Sequence, residues 1–393
     1  MRKILIANKF YYNRGGDCVA SIALEKLLKE KKNKIAFFSM KHPENFTSEW
    51  EKYFPSNVDF QNAGLINKIK AFNRIIYSKE VIKKFSELIE VFKPDIVHLN
   101  NIHSQLSPIL GEIAHKKKIK VIWTLHDYKL ICPVYSCLRS GNICENCITK
   151  SSLNVVTNKC MKDSYLASIL AYLESTIWNK KRLIRNTDYF IAPSAFMKDM
   201  MIKGGFPKSK IKILPNFMNR EFPTQIVQNK EKYYCYVGRL SREKGLNTLI
   251  NAAINLPYKL IVVGNGPLRE ELEAKCSNSN IQFVGYQNWN NISSIVSKAK
   301  FTILPSEWYE NNPLSIIESL CLGTPVLGAN IGGIPELINN QNGMTFEPGN
   351  QKDLEEKTQQ MFKKVFNYND ICNIARIQFS AENYYNQLIK IYD

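Results

Sequence analysis

Nothing in this chain of 393 residues approaches the run of about 20 apolar residues that a membrane-spanning helix requires. The opening stretch MRKILIANKF has two basic residues and then a short β-rich run, without the apolar region of a secretory signal. Acidic side chains are scarce: Asp and Glu number 35 against 53 Lys and Arg, a formal charge of +18. That balance points to an anionic partner: nucleic acid, an anionic membrane surface or phosphorylated substrates. The basic runs KEKKNK and HKKKIK carry no interleaved aromatic residues, and no nucleic-acid recognition motif is present, so nucleic acid is the weakest of the three. Internal repeats and low-complexity segments are absent. These absences predict a cytoplasmic protein whose ten cysteines are mostly reduced.

What is present is an alternation of strands and helices, repeated. With 45% apolar residues the chain can fill two cores, and its length fits two domains. In the first half, Lys3–Asn8, IAFFS, Pro94–Asn101, Lys120–Asp127, Tyr189–Ser194 and KIKILPN read as buried strands. Glu44–Ala63 reads as a polar and aromatic excursion, and Leu65–Phe92, Asp163–Arg185 and AFMKDMMIKGG as helices. Phe217–Lys232 is polar and aperiodic and reads as a linker. The pattern then restarts with YYCYVGRL, YKLIVVG, IQFVG, FTILP, TPVLGA and MTFEP as strands, followed by an amphipathic helical tail from Asn369 to Asp393. The predicted boundaries are a first domain 1–216, a linker 217–232, a second domain 233–368 and a C-terminal helix 369–393 that crosses back to the first domain. Each half is an α/β, parallel, doubly wound unit.

Ligands of such sheets bind at the carboxyl ends of the strands, and the candidate residues gather there. In Phe301–Glu336, a buried strand is followed by Glu310, by a helix that opens near Pro313 and carries Glu318, by a second strand, and by GGIPE, a glycine turn expected to open another helix. A helix N-terminus favours an anion. Two carboxylates beside it need cationic or hydroxyl-rich partners, and a sugar nucleotide supplies hydroxyls. Arg239 and Lys244 follow the first strand of the second half, and GNGP, with Gly264 and Gly266, forms a tight loop after the next. In the first half, Gly15 and Gly16 allow close backbone approach to a ligand. His103 lies just beyond one strand and His126 at the end of another, as site residues or as hydrogen-bonded structural histidines.

Five cysteines fall within 29 residues: Cys132, Cys137, Cys144, Cys147 and Cys160. Cys144-Glu-Asn-Cys147 is a knuckle of the kind that holds zinc. A structural zinc on Cys132, Cys144, Cys147 and Cys160, with Cys137 spare, is one reading; reduced packing cysteines or an adventitious disulfide are the others.

Taken together, GRL-x₃-KG (Gly238–Gly245), GNGP (Gly264–Pro267), the spacing Glu310–Glu318, G-x-PV (Gly323–Val326), GGIPE (Gly332–Glu336), the N-terminal glycine pair and His126–Asp127 resemble the family 4 retaining glycosyltransferases over nearly the whole chain. The resemblance implies the GT-B fold: two Rossmann-like domains facing across a cleft, with the donor mainly on the C-terminal one. It implies that Arg239 and Lys244 bind the donor diphosphate, that Glu318 holds the ribose hydroxyls, that Glu310 contacts the sugar hydroxyls, and that His126 sits against the transferred sugar. Gly15, Gly16, Gly238, Gly264, Gly266, Asn312 and the amides of Leu314 and Ser315 would complete the donor site. Asn311 and Asn312 stand where many members have a glycine-aromatic pair. No Asp-x-Asp-type pair is placed to hold a divalent ion, so no catalytic cofactor is expected.

The expected activity is transfer of a sugar from a UDP- or GDP-sugar to a glycan or lipid-linked acceptor in capsule, lipopolysaccharide or other cell-surface polysaccharide synthesis. The basic segments Lys116–Lys120 and Lys180–Arg185 suggest peripheral contact with an anionic membrane. A sugar-nucleotide epimerase or a glycan phosphorylase on a similar fold, and a nucleic-acid-binding protein, are the alternatives.

Overall fold

A computed structural model describes residues 1–57, 77–276 and 280–393. The chain divides into two compact units. The first comprises Met1–Ser140, Cys144–Pro215 and Tyr384–Asp393, the second Gly141–Ile143 and Asn216–Asn383. Each is built on a six-stranded sheet whose strand pairs are all parallel.

In the first unit the strands are β1 (Lys3–Ala7), β2 (Lys34–Phe38), β3 (Ile96–Leu99), β4 (Lys120–Thr124), β5 (Tyr189–Ala192) and β6 (Ile211–Ile213), in the order β2-β1-β3-β4-β5-β6. Ile4 to Ala7, Val97, Leu99, Val121, Ile122 and Phe190 to Ala192 are fully buried, as expected of strands covered on both faces. The helices start where side chains satisfy their first amides. Ser78 accepts from the Val81 N–H ahead of Lys79–Phe92, Ser164 from Ala167 ahead of Tyr165–Ile177, and Ser194 from Met197 ahead of Ala195–Lys203. The helix expected from Leu65, like part of the Glu44–Ala63 excursion, lies outside the described residues before Lys79.

The single helix expected over Asp163–Arg185 is two. Tyr165–Ile177 stops at Trp178, and Asn179 caps a new helix, Lys180–Arg185, by accepting from the Arg182 N–H at 3.2 Å. The Arg182 guanidinium lies over the Trp178 ring at 4.0 Å and fixes the break. The C-terminal tail is likewise divided, into Tyr368–Gln378 and Ala381–Tyr392. Its last ten residues belong to the first unit. There His98 of β3 bonds the Tyr392 hydroxyl at 2.6 Å through Nδ1 and Thr124 of β4 at 2.7 Å through Nε2.

The second unit carries β7 (Tyr233–Val237), β8 (Lys259–Val263), β9 (Ile281–Gly285), β10 (Phe301–Leu304), β11 (Val326–Ala329) and β12 (Gly343–Phe346). Their order is β9-β8-β7-β10-β11-β12, the dinucleotide-fold order, with its switch point between β7 and β10. Tyr234, Phe301 and Phe362 meet in one core cluster, Tyr234 stacked on Phe301 with ring centroids 5.2 Å apart. The helix after β10, Leu314–Cys321, begins behind Pro313. No helix follows GGIPE; residues 331–342 form turns. Gly332 takes φ +61, and a Cβ there would stand 2.4 Å from the Glu310 carbonyl oxygen. The Gly333 N–H donates to that same oxygen at 2.7 Å. The segment is committed to buttressing the Glu310 loop.

Candidate active site

At the switch point of the second sheet, the loops after β7 and β10 are pressed together. Gly245 (φ +67) has its α-carbon so close to the next loop that an added Cβ would lie 1.8 Å from the Pro305 carbonyl oxygen. The loops after β7 and β8 approach as closely: a Cβ on Gly264 would meet the Gly238 carbonyl oxygen at 1.9 Å, and one on Gly266 the Leu240 carbonyl oxygen at 2.3 Å. Gly238 is also confined, because a Cβ would meet the Tyr236 hydroxyl at 2.6 Å. These glycines serve backbone packing at the sheet edge, which in turn fixes where the charged side chains emerge.

Lys244 closes a single 3₁₀ turn, Arg242–Lys244, and its ammonium meets Glu310 Oε1 at 2.6 Å. The Ser306 hydroxyl donates to the same oxygen at 2.7 Å. Burial alone would push the Glu310 carboxyl up, but Lys244 and Ser306 outweigh it and hold the group below its ordinary range. Lys244 also lies over the Trp308 ring at 5.4 Å. Arg239 differs. It is exposed, and among the described residues no carboxylate pairs with its guanidinium, leaving a cation at the strand end. The Leu314–Cys321 helix starts beside this group. The N–H groups of Leu314 and Ser315 open its first turn, where no intrahelical acceptor exists.

Glu318, one turn on, pairs with Arg220 Nε at 3.1 Å. Burial raises its carboxyl above the usual range, with Arg220 acting in the opposite direction. Arg220 itself lies 4.6 Å over the Trp289 ring. Asn312 is engaged on both sides by Asn216: its Oδ1 accepts from the Asn216 N–H at 2.9 Å and its carbonyl from the Asn216 side-chain amide at 3.0 Å.

The first unit has its own polar cluster, gathered from the carboxyl ends of β1, β3 and β4. The switch point of that sheet is between β1 and β3. Gly16 opens the helix Gly16–Glu30, and a Cβ there would point into open space. Asp17 accepts from the Asn101 side-chain amide at 2.9 Å, and the Asn101 N–H donates to Asn8 Oδ1 at 3.0 Å. His126 Nε2 donates to Asn100 Oδ1 at 2.9 Å, which leaves Nδ1 as an acceptor. Burial depresses the His126 pKa, opposed by Asp17 and aided by Lys9. Asp127 accepts from the Lys129 N–H at 2.9 Å, and burial raises its carboxyl. The Asn100 amide nitrogen and the Asn101 amide oxygen are buried with no partner among the described residues. Buried polar atoms of this kind require a partner, so two unspent hydrogen-bonding groups lie beside His126. Sequence reading missed Asn8, Asp17, Asn100, Asn101, Arg220 and Ser306. Their shared signal was position: most lie at the carboxyl end of a strand or at the start of the helix after it.

Cys132, Cys144, Cys147 and Cys160, the expected zinc set, lie in one loop region of the first unit, and the thiols of Cys132, Cys144 and Cys160 all act on that of Cys147. Among the described residues, no three His, Cys, Asp or Glu side chains stand together as ligands for one metal ion. Hydrogen bonding from Cys137 lowers the Cys132 pKa against the effect of burial. All five thiols are free.

Two nucleotide-fold sheets, with cations and a helix N-terminus at the switch point of the second, define the two-domain α/β class of sugar-nucleotide enzymes known as GT-B. Sequence comparison carries this to a family. Residues 24–222 match the model of Glycosyltransferase Family 4 and residues 218–376 that of Glycosyl transferases group 1, so the chain belongs to glycosyltransferase family 4 and is a glycosyltransferase. It is 28% identical over 350 residues to an uncharacterized 42.6 kDa protein in the cps region of Klebsiella pneumoniae, covering 85% of this chain and 87% of that protein. Among solved structures, the lipopolysaccharide outer core galactosyltransferase WaaB superposes with a TM-score of 0.65 at 16% identity, with full coverage of both chains. HepE of Anabaena in complex with UDP-glucose superposes with a TM-score of 0.65 at 17% identity, covering 100% of this chain and 99% of that one.

Proposed function

We propose that the protein is a retaining, metal-independent glycosyltransferase that moves a hexose from a UDP- or GDP-sugar to a glycan or lipid-linked acceptor of a cell-surface polysaccharide, working at the inner face of the cell membrane. The observation that carries this reading is the Lys244–Glu310 ion pair at the β7/β10 switch point, with Arg239, to which no carboxylate among the described residues pairs, on the same loop after β7. The cps-region relative supports the polysaccharide assignment, and the UDP-glucose complex of a protein with this fold supports the donor class.

Cleaving the anomeric bond moves negative charge onto a diphosphate. Arg239, Lys244 and the Leu314 and Ser315 amides supply fixed positive charge for it from the chain itself. Lys244 would then share its charge between the phosphate and Glu310, whose carboxylate is free to accept a sugar hydroxyl through its second oxygen. Glu318 would hold the ribose hydroxyls, with Arg220 stabilising its ionised form. His126, kept neutral by burial, would accept a hydroxyl hydrogen of the transferred sugar through Nδ1. Retention would follow from front-face attack, the leaving phosphate oxygen taking the acceptor proton.

A panel of UDP-, GDP- and ADP-sugars, read by thermal shift and by release of the nucleoside diphosphate, tests the donor assignment. Binding and release are expected with a UDP- or GDP-sugar, and indifference to every member would refute it. The anomeric coupling of the product, with and without chelator present, tests retention and metal independence.

A further inference from the structure

The helix Tyr165–Ile177 has its charge on the wrong side for a surface helix. Glu174 is its one charged residue, and it is buried. There it pairs with Lys129 at 2.8 Å and accepts from the Ser104 N–H at 3.0 Å. Ser168 and Ala171 are buried on the same side. The opposite side carries apolar side chains into solvent, with the exposed Thr176 at its far end: Tyr165 is 56% exposed, Leu166 64% and Ile169 40%. Leu153, on the neighbouring turn, is 47% exposed. A soluble helix normally shows the reverse arrangement, and an apolar patch rimmed by polar groups marks an interaction surface.

The rim is basic. Lys150, three residues before Leu153, and Lys159 and Lys162, just before Tyr165, are exposed, as is the acid Asp163, and the Lys159 ammonium lies 4.4 Å over the Tyr165 ring. By contrast, the segments that looked most basic in the sequence are largely engaged within the protein. Lys116 pairs with Glu112, Lys117 with Glu90 and Arg182 with Glu112. Lys120 donates to the Tyr392 carbonyl and Lys180 to that of Gly204.

We infer that the exposed face of Tyr165–Ile177, with Leu153 and the three lysines, is where the protein docks on an anionic lipid bilayer. Aromatic and aliphatic side chains enter the acyl boundary while the lysines reach the headgroups. A second copy of the chain fits this face less well, because a twofold contact would bring two sets of lysines together. The inner side of the same helix holds Lys129, three residues beyond His126, through Glu174. A lipid-linked acceptor would therefore reach the surface one helix away from the His126 loop. The inference rests on the proposed function only in naming that acceptor.

Flotation of the full chain with vesicles of phosphatidylcholine, with and without phosphatidylglycerol, reads the docking without donor, acceptor or turnover. The protein should float with the anionic vesicles at low salt and far less with the neutral ones. Leu166→Ser/Ile169→Ser should lower the vesicle-bound fraction roughly tenfold, with its thermal unfolding and nucleotide binding unchanged. Lys150→Gln/Lys159→Gln/Lys162→Gln should remove the preference for anionic vesicles. Absence of flotation by the unmodified protein would overturn the inference, as would double-variant binding equal to it. Sedimentation showing a dimer that Leu166→Ser/Ile169→Ser dissociates would assign the face to a second copy instead. Vesicle binding that persists in a protein indifferent to every sugar nucleotide would leave the docking intact and refute only the donor assignment.

Discussion

The two units use the same kind of sheet in opposite chemical styles. In the second the candidate residues are charged: Lys244 pairs with Glu310 and Arg220 with Glu318, and among the described residues no carboxylate pairs with Arg239. In the first, the cluster is mostly amides and imidazole, Asn8, Asn100, Asn101 and His126, drawn from three strand ends, with Asp17 bonded to Asn101 and burial depressing the His126 pKa. Charged groups suit a leaving diphosphate, whereas neutral donors and acceptors suit sugar hydroxyls.

The comparison can be broken most severely at Gly245. Gly245→Ala places a Cβ against the Pro305 carbonyl oxygen at a positive φ. The strain and the overpacking should together cost about 4 kcal/mol, read as a large fall in the denaturation midpoint. Gly16→Ala, whose Cβ meets open space, should leave stability within about 0.5 kcal/mol. Equal losses at the two glycines would contradict the distinction between a packing glycine and an access glycine.

A smaller effect is expected from pH. Burial holds His98 down to about 3 and depresses His103 and His126 below their ordinary 6.5. All three belong to the first unit. The folded state resists their protonation while the unfolded chain accepts it near 6.5. Their stabilising contribution is therefore complete above that pH and is lost as pH falls below it, by up to about 1.4 kcal/mol per histidine for each pH unit. Thermal midpoints should be flat above neutrality and fall on acidification, and His98→Gln should flatten the acid limb. A midpoint independent of pH between neutrality and the carboxylate range would contradict the neutral character assigned to this unit.

How much of this was legible in the sequence follows the same division. The twelve sheet strands announced themselves because continuous apolar runs are needed where both faces are covered. The second unit's candidate residues could be named from sequence because they lie within short motifs, Gly238–Gly245 and Glu310–Glu318. In the first unit only Gly15, Gly16 and His126 were legible, because Asp17, Asn100 and Asn101 meet only once the order β2-β1-β3-β4 is formed. Local packing also overrode pattern: Trp178 breaks a helix that periodicity would continue, and GGIPE supports Glu310 where a helix was expected. The link from Cys137 to Cys132 and the Arg220 partner of Glu318 are tertiary contacts that spacing does not encode.

The smallest of the expected effects on chemistry sharpens the comparison within the second unit. Glu318→Ala should weaken nucleoside diphosphate binding by about 1–3 kcal/mol and leave turnover at saturating donor nearly unchanged, because a ribose contact alters little during reaction. Titration calorimetry and initial rates separate the two. A collapse of turnover with binding retained would place Glu318 in the chemistry instead.

The most direct test of the central claim, that the switch-point cations stabilise the departing diphosphate, is turnover of Lys244→Ala at saturating donor, with circular dichroism as the check on folding. Loss of Lys244 leaves Glu310 buried beside Ser306 without its cation, so Lys244→Ala/Glu310→Gln is measured alongside to separate folding from catalysis. The account predicts folded variants whose kcat falls about 10²–10³-fold, beyond any change in KM. A folded Lys244→Ala protein with near-normal kcat would contradict it.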